Sequence, residues 1–561
     1  MARTIQRYTL IIVLLVCTSA AVYYYNDTGM SGYFRSPLSF KPTLAANFGE
    51  LRPDHFHMGF DIRTKGAENL PVYAAAEGYI SRVTVEDAGF GKAIYIDHPN
   101  GTTTVYAHLN SFNKTIEKLV KQKQYALQSW RQDIAPPKDS LKVSRGTLIG
   151  KSGNTGASEG PHLHFETRNT LTEKNINPLQ AGFVLPDTKA PEIRQLWWYD
   201  LKGSFYESKG HQFNKPARQL IVNEPFIGMG IEAADCMKEN SRFRMGIYHA
   251  ALWMDNALLF QLTLDSFSYA DTRYVNACID YGKSILENKN VLLLLKLPGN
   301  RLPIFRGSPS NGILDLSDRK THAVKLLITD WAGNRDSASF LLRYNGVTPR
   351  YNTSANKQLL PGIEQQIQTT GARIFFPKNS FYDAAAMQLT ALPSKGKDMV
   401  SAVIRFFPET IPLHDSVTVA ITTKLPAKSP LRNHVVMRMA NARHQVTVKG
   451  TWAGNEMNGK LSEAGNIWLQ LDTMPPTLTM IHPQKIYNGE DAIEVSFADN
   501  AGGPGNFTAT LDGRWLLFEK RQDRFTYYMD EHCSKGTHLL KIYATDIAGN
   551  GSSLDWRFER Q

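Results

Sequence analysis

Two short-range pairs of side chains could do chemistry together: His57 with Asp61, four residues apart, and His162 with His164, two apart. Side chains alternate along a strand, so both separations put the pair on one face. One strand would present an imidazole and a carboxylate, a second strand two imidazoles. Nitrogen and oxygen donors in that number suit zinc, which in catalytic sites takes three protein ligands and keeps a position for water. The fourth group is then free for chemistry. The chain has 15 histidines, so such pairings also arise by chance in exposed loops, and spacing alone leaves both readings open. Gly59 lies inside the first pair, and Gly156, Gly160 and Pro161 precede the second. Close backbone approach near a site would explain these glycines, and so would ordinary turns.

The elements that must position these residues fall in residues 45–183. Short apolar strands at 72–76, 94–97 and 102–107, punctuated by glycines, predict a compact all-β domain. Within 115–130, Ile116, Leu119, Val120, Leu127 and Trp130 recur at near-helical spacing before Pro136-Pro137 breaks the pattern. We expect a helical hairpin arm there, in an insertion over 112–143. Deleting residues 115–137 is expected to change activity more than stability.

Four stretches in order carry a resemblance: Phe56-His57-Met58-Gly59-Phe60-Asp61-Ile62, then Pro71-Val72-Tyr73-Ala74-Ala75-Ala76-Glu77-Gly78, then Val105-Tyr106-Ala107-His108-Leu109, and finally residues 149–166, ending Pro161-His162-Leu163-His164-Phe165-Glu166. Together they closely resemble the lysostaphin-type, LytM-like peptidoglycan metallo-endopeptidases. The likeness covers residues 48–183, about a quarter of the chain. It implies one Zn2+ per catalytic domain, with His57, Asp61 and His164 as metal ligands and His108 and His162 as the catalytic histidines. In such enzymes the metal polarises the scissile carbonyl and activates its bound water. The resemblance gives His162 the general-base role and His108 the transition-state role, and the two could share both. His55 is also two residues from His57, but only His57 has the H-x-G-x-D context, so His55 reads as a groove or surface residue. His98 precedes the turn signal Pro99-Asn100-Gly101 and reads as a strand end. The insertion between His108 and Gly146 departs from the simplest members of the family.

The second half of the chain holds an internal repeat. Residues 321–334 align without gaps on 537–550, each running from Thr-His through a strand into a D-x-A-G-N turn. Matching Pro-containing linkers begin at Asp187 and Asp472. The two copies, 187–346 and 472–561, resemble bacterial immunoglobulin-like sandwich domains, the first enlarged by an insertion. Residues 347–471 read as a different β-rich, sandwich-like unit. The fold class expected is therefore mainly β: an N-terminal segment, a LytM-like antiparallel β-domain with a helical insertion, and about three β-sandwich-like domains.

In residues 1–25, Arg3 and Arg7 precede an apolar run and then the small residues Thr18, Ser19, Ala20 and Ala21, which is the grammar of an export signal. Reading the apolar run through to Tyr25 makes it an uncleaved anchor instead. Either places the protein outside the cytoplasm, in the periplasm or cell envelope. Any membrane contact is expected only through this segment. Lys and Arg exceed Asp and Glu by 63 to 52 without any basic run, which argues against nucleic-acid binding. Cys236 and Cys278 could pair in an oxidising compartment and leave Cys533 free, or all three could be buried thiols. The expected partner is peptidoglycan, with envelope proteins a further possibility through the β-sandwich modules. The function these features imply is hydrolysis of peptide bonds in stem peptides or cross-links. The alternative is a non-catalytic LytM-like factor that activates another cell-wall hydrolase, and the presence of all five expected residues argues against it.

Overall fold

The computed structural model describes residues 32–201, 203–215, 218–237, 243–306, 310–347, 358–489 and 491–561. The expected export or anchor segment, 1–25, lies outside the described residues. The fold is mainly β, and among the described residues no helix is long and apolar enough to cross a membrane.

The site-bearing region contains β1 (Leu44–Ala46), β2 (Phe60–Arg63), β3 (Pro71–Tyr73), β4 (Gly78–Val85), β5 (Lys92–Asp97), β6 (Thr102–Ala107) and β7 (Leu109–Phe112). After these come α1 (Lys114–Leu127), β8 (Gln132–Ile134), β9 (Lys142–Val143), β10 (Leu148–Ser152), β11 (His162–Asn169) and β12 (Asn175–Ile176). The main sheet runs β1-β2-β11-β6-β5-β4-β8, and β3-β10-β7 form a small second sheet. The central strands β5, β6 and β11 are buried almost throughout, as their apolar and Thr-rich sequences predict. Packed beneath them are Ile62, Ile94, Tyr106, Leu163 and Phe165.

The expected helical hairpin is a single helix. Asn113 caps α1 by accepting from Ile116 N at 3.0 Å, and Gln128 ends it in a left-handed conformation at φ 48°. The chain then returns as a strand, because Gln132 and Ile134 alternate with exposed Asp133 and β8 pairs with β4. Ile116 and Val120 are buried in the main core. The segment is thus woven into the domain, and deleting 115–137 would remove core and an edge strand together. Such a deletion therefore carries a stability cost beside the expected change in activity.

Beyond residue 185 lie three further two-sheet units. Strands between Glu192 and Tyr344 form two five-stranded sheets, and those between Thr477 and Arg560 form a four- and a five-stranded sheet. In the first and last of these units a short edge strand runs parallel to the last strand of a long hairpin: Gln219–Val222 on Arg335–Tyr344, and Ile486–Tyr487 on Gly551–Arg560. The D-x-A-G-N turn does the same work in both. Asp330 and Asp546 accept from the backbone and side chain of Asn334 and Asn550. Those asparagines also donate to the linker carbonyls of Asp187 and Asp472. The extra length of the first copy is a stretch between Thr263 and Thr321 that includes the helix Tyr281–Glu287. Residues Gln365–Leu471 form two five-stranded sheets around a separate core. Cys236, Cys278 and Cys533 are all free and buried, so no disulfide links them.

One apolar core runs without interruption from the first region into the next. Phe48 and Phe56 pack against Phe267 at ring distances of 4.8 and 5.1 Å, and Leu264 and Met245 belong to the same cluster. Strand Ser266–Phe267 even extends the main sheet by pairing with β12.

Candidate metal centre

The site forms where β2 and β11 lie side by side. Their antiparallel register sets His164 opposite Asp61, with Ala107 opposite His164 on the other side. His57 reaches the same point from the loop before β2. Gly59 permits this approach, since a Cβ there would stand 2.4 Å from the Phe165 carbonyl oxygen. Gly156, at φ 71°, is equally required by Gly91, whereas Gly160 has open space around it.

Three donor atoms converge. His57 Nε2 is 3.0 Å from Asp61 Oδ1, His164 Nδ1 is 2.9 Å from the same oxygen, and the two imidazole nitrogens are 3.2 Å apart. Each residue is under 10 % exposed. The partners on the outer side fix which nitrogen faces inward. His57 Nδ1 donates to the Asn47 carbonyl at 2.8 Å, and His164 Nε2 donates to Glu166 Oε1 at 3.0 Å. Neutral imidazoles held this way aim two lone pairs at a carboxylate, which no arrangement of neutral partners satisfies. A cation does, so the donor set fits a metal ion. The cluster's ligand atoms all lie within 4.8 Å of one another.

Without an ion, protons respond to the same field. Burial pushes the His164 imidazole down, but hydrogen bonds and charge from Asp61 and Glu166 prevail and raise it to about 9. Burial lowers His57 despite Asp61 beside it. Burial would raise Asp61, yet the His57 charge and the imidazole hydrogen bonds hold it well below the usual carboxylate range. Glu166 is fully buried and would also rise, but Arg168 and His164 bring it down to about 2.

The two other histidines stand on the groove side of this cluster. His108 follows β6 at φ 59°, a left-handed conformation that turns its ring into the groove beside His162, with ring centroids 4.8 Å apart. Its Nδ1 donates to the Thr155 carbonyl at 2.8 Å, leaving Nε2 free. Burial, aided by His164 and His162, pushes it down to about 3, so the ring is neutral at pH 7. His162 Nδ1 donates to the Gly160 carbonyl at 2.8 Å, and its Nε2 lies 3.4 Å from Asp61 Oδ1. The structure thus brings His57, Asp61, His164, His108 and His162 to one place. His55 lies on the groove rim, paired with Asp54, and His98 is remote, bonded to Glu77 O and Thr104.

The groove has a volume of about 950 Å³, and its walls include Arg52, Arg63, Glu159, Phe243 and Tyr269. Spacing gave no role to several residues that act here. Glu166 was detectable, since it follows His164 by two on the same strand face. Arg52, which donates to Asp61 Oδ2 at 3.1 Å, carried no signal. Beside it burial, and Asp61 in part, lift Glu50 to about 7 against the pull of Arg52. Asn47 and Tyr269 were equally silent.

Residues 55–126 and 134–178 match Peptidase family M23, and residues 359–472 match the Zu5-like domain. The chain carries an M23 domain of the LytM type. Among its relatives is an uncharacterized metalloprotease of Haemophilus influenzae, 30% identical over 30% of this chain and 31% of the relative. Another is the peptidoglycan DD-endopeptidase ShyA of Vibrio cholerae, 32% identical over 29% of this chain and 33% of that protein. A solved structure, the catalytic domain of lysostaphin from Staphylococcus simulans, is 23% identical over 25% of this chain and 90% of that one, with a TM-score of 0.19. The chain spans about a third of the length of these curated relatives.

Proposed function

We propose that the protein is an exported, zinc-dependent endopeptidase that cleaves peptide bonds in peptidoglycan stem peptides or cross-links. The observation that carries this reading is the placing of two imidazoles outside the ligand set, His108 and His162, beside a buried His57–Asp61–His164 cluster in an open groove. The M23 match and the DD-endopeptidase relative support peptidoglycan as the substrate class.

His57, Asp61 and His164 would hold the metal. When bound, it supplies a Lewis acid for the scissile carbonyl and a water of lowered pKa. The remaining work belongs to the chain. His162 takes a proton at Nε2, which lies 3.4 Å from Asp61 Oδ1. His162 returns that proton to the leaving amine, while His108, held neutral by burial, sits across from it with its Nε2 lone pair as a hydrogen-bond acceptor. Thr155 and Gly160 carbonyls fix both rings in the same tautomer, so neither must reorient before it acts.

The test is to incubate the purified protein with peptidoglycan sacculi, with and without a chelator, beside a His164→Ala variant. Fragments released by the wild type alone, and only without chelator, are expected. Mass spectrometry of them identifies the bond. Intact sacculi at every zinc level, with faster digestion when a second cell-wall hydrolase is added, would replace this reading by that of a non-catalytic activator.

A further inference from the structure

We propose that the β-sandwich unit of residues 187–346 is a working part of the metal centre, with Tyr269 a positioning residue for His164 and Gly246 one for His57. This rests on the reading of His57, Asp61 and His164 as metal ligands. Both histidines owe their orientation to an outer hydrogen bond, and each of those bonds is anchored in the neighbouring unit.

On one side, the Tyr269 hydroxyl donates to Glu166 Oε1, the same oxygen that accepts from His164 Nε2. Glu166 Oε2 is taken by Arg168 Nε at 2.7 Å and by Asn175 Nδ2 at 2.9 Å. Asn175 is the residue on which strand Ser266–Phe267 pairs, and the Tyr269 ring lies over the Arg168 guanidinium at 5.2 Å. The β-sandwich unit therefore grips Glu166 directly through a hydroxyl and indirectly through the two side chains that hold its other oxygen.

On the other side, the Asn47 carbonyl that orients His57 belongs to a residue locked by two bonds to one backbone position. Asn47 Nδ2 donates to Gly246 O at 2.8 Å, and Gly246 N donates to Asn47 Oδ1 at 2.8 Å. Gly246 must be glycine for this, since a Cβ would stand 2.9 Å from the Glu50 Cα. Next to His57, Phe56 N donates to Thr272 Oγ1 at 2.8 Å, and that hydroxyl donates to Phe56 O at 3.1 Å. Outer partners of metal-ligating histidines set ring orientation and basicity, and their loss weakens metal binding about 10–100-fold.

The experiment measures zinc affinity of the full chain by competition with a chromogenic chelator, together with the visible spectrum of the cobalt-loaded protein. Tyr269→Phe should bind zinc at least about 10-fold more weakly and shift the cobalt band. Asn47→Asp, which loses the donor to Gly246 O, should weaken zinc through the other histidine. Tyr248→Phe is the control: it removes a tyrosine hydroxyl bond to Asp265 in the same unit and should leave zinc affinity unchanged. Zinc affinity within twofold of wild type in Tyr269→Phe overturns the proposal. Equal loss in Tyr248→Phe overturns it too, because the effect would then be general stability. A wild type that binds one zinc yet leaves peptidoglycan uncut refutes the hydrolase reading and leaves this one standing. A wild type that binds no zinc refutes both.

Discussion

The first and last β-units, built on the same D-x-A-G-N hairpin, meet the M23 region in opposite ways. The first shares its apolar core: Phe267 is fully buried between Phe48 and Phe56, and its strand joins the main sheet. The last touches it through polar and aromatic side chains. Lys121 pairs with Asp530 at 2.7 Å, Lys92 with Glu519 at 2.9 Å and Lys520 with Asp87 at 2.7 Å, while Tyr125 of α1 stacks on His532 at 3.5 Å. A shared hairpin thus says little about a unit's task, which is decided by the surface it turns to its neighbour. Apolar contact makes one unit inseparable from the site, and ion pairs make the other a docked accessory whose handle is the inserted helix.

The sharpest way to break this comparison begins at the site itself. Replacing His108 or His162 by Ala should cut turnover by about 10²–10⁴-fold while zinc content, read by atomic absorption, stays at the wild-type level. Phe267→Ala should cost about 3–5 kcal/mol, seen as a lowered first transition in denaturant unfolding, and should take the zinc site down with it. If zinc affinity survives that loss, the two regions are less unified than their shared core implies.

The linker of the first unit allows a pH test. Asp235 lies beside Asp187 and Asp330, and burial, with those like charges, raises its carboxyl from the ordinary 3.8 to about 7. Between pH 4 and 7 the folded state therefore holds a proton that the unfolded chain has released, and stability falls as pH rises. Asp235→Asn should flatten that fall, giving a higher melting temperature than wild type at pH 8 and little difference at pH 4. An unchanged slope would mean other carboxyls dominate it. The smallest effect belongs to the last unit. Lys121→Ala should cost at most about 1 kcal/mol, and the cost should fade in high salt.

What the sequence made legible was what strand alternation and local turns encode. His162 and His164 stood out because their two-residue spacing on β11 survives folding, whereas the expected single strand for His57 and Asp61 does not form, since His57 comes from the loop before β2; α1 showed in the spacing of Ile116, Leu119 and Val120. The mainly β class followed from the same alternation. His108 entered only through resemblance, since nothing local marks a histidine whose ring is turned in by a left-handed backbone. Asn47 and Tyr269 could not be found at all: Asn47 is locked in place by Gly246 and Tyr269 reaches Glu166, each more than 100 residues away in sequence, and such contacts leave no period. Strand β8 falls where the expected hairpin arm returns, and only three residues, Gln132 to Ile134, carry its pattern. The three cysteines gave a count compatible with a disulfide, and only the structure, in which all three are free and buried, settles that they are thiols.

The most direct test of the account is cleavage of a purified cross-linked muropeptide dimer by the zinc-loaded full chain, followed by chromatography. Loss of the dimer that stops with chelator, returns with added zinc, and is absent in a His162→Ala protein still holding one zinc is the predicted result. An intact dimer at one zinc per chain, or cleavage undiminished in that variant, would contradict it.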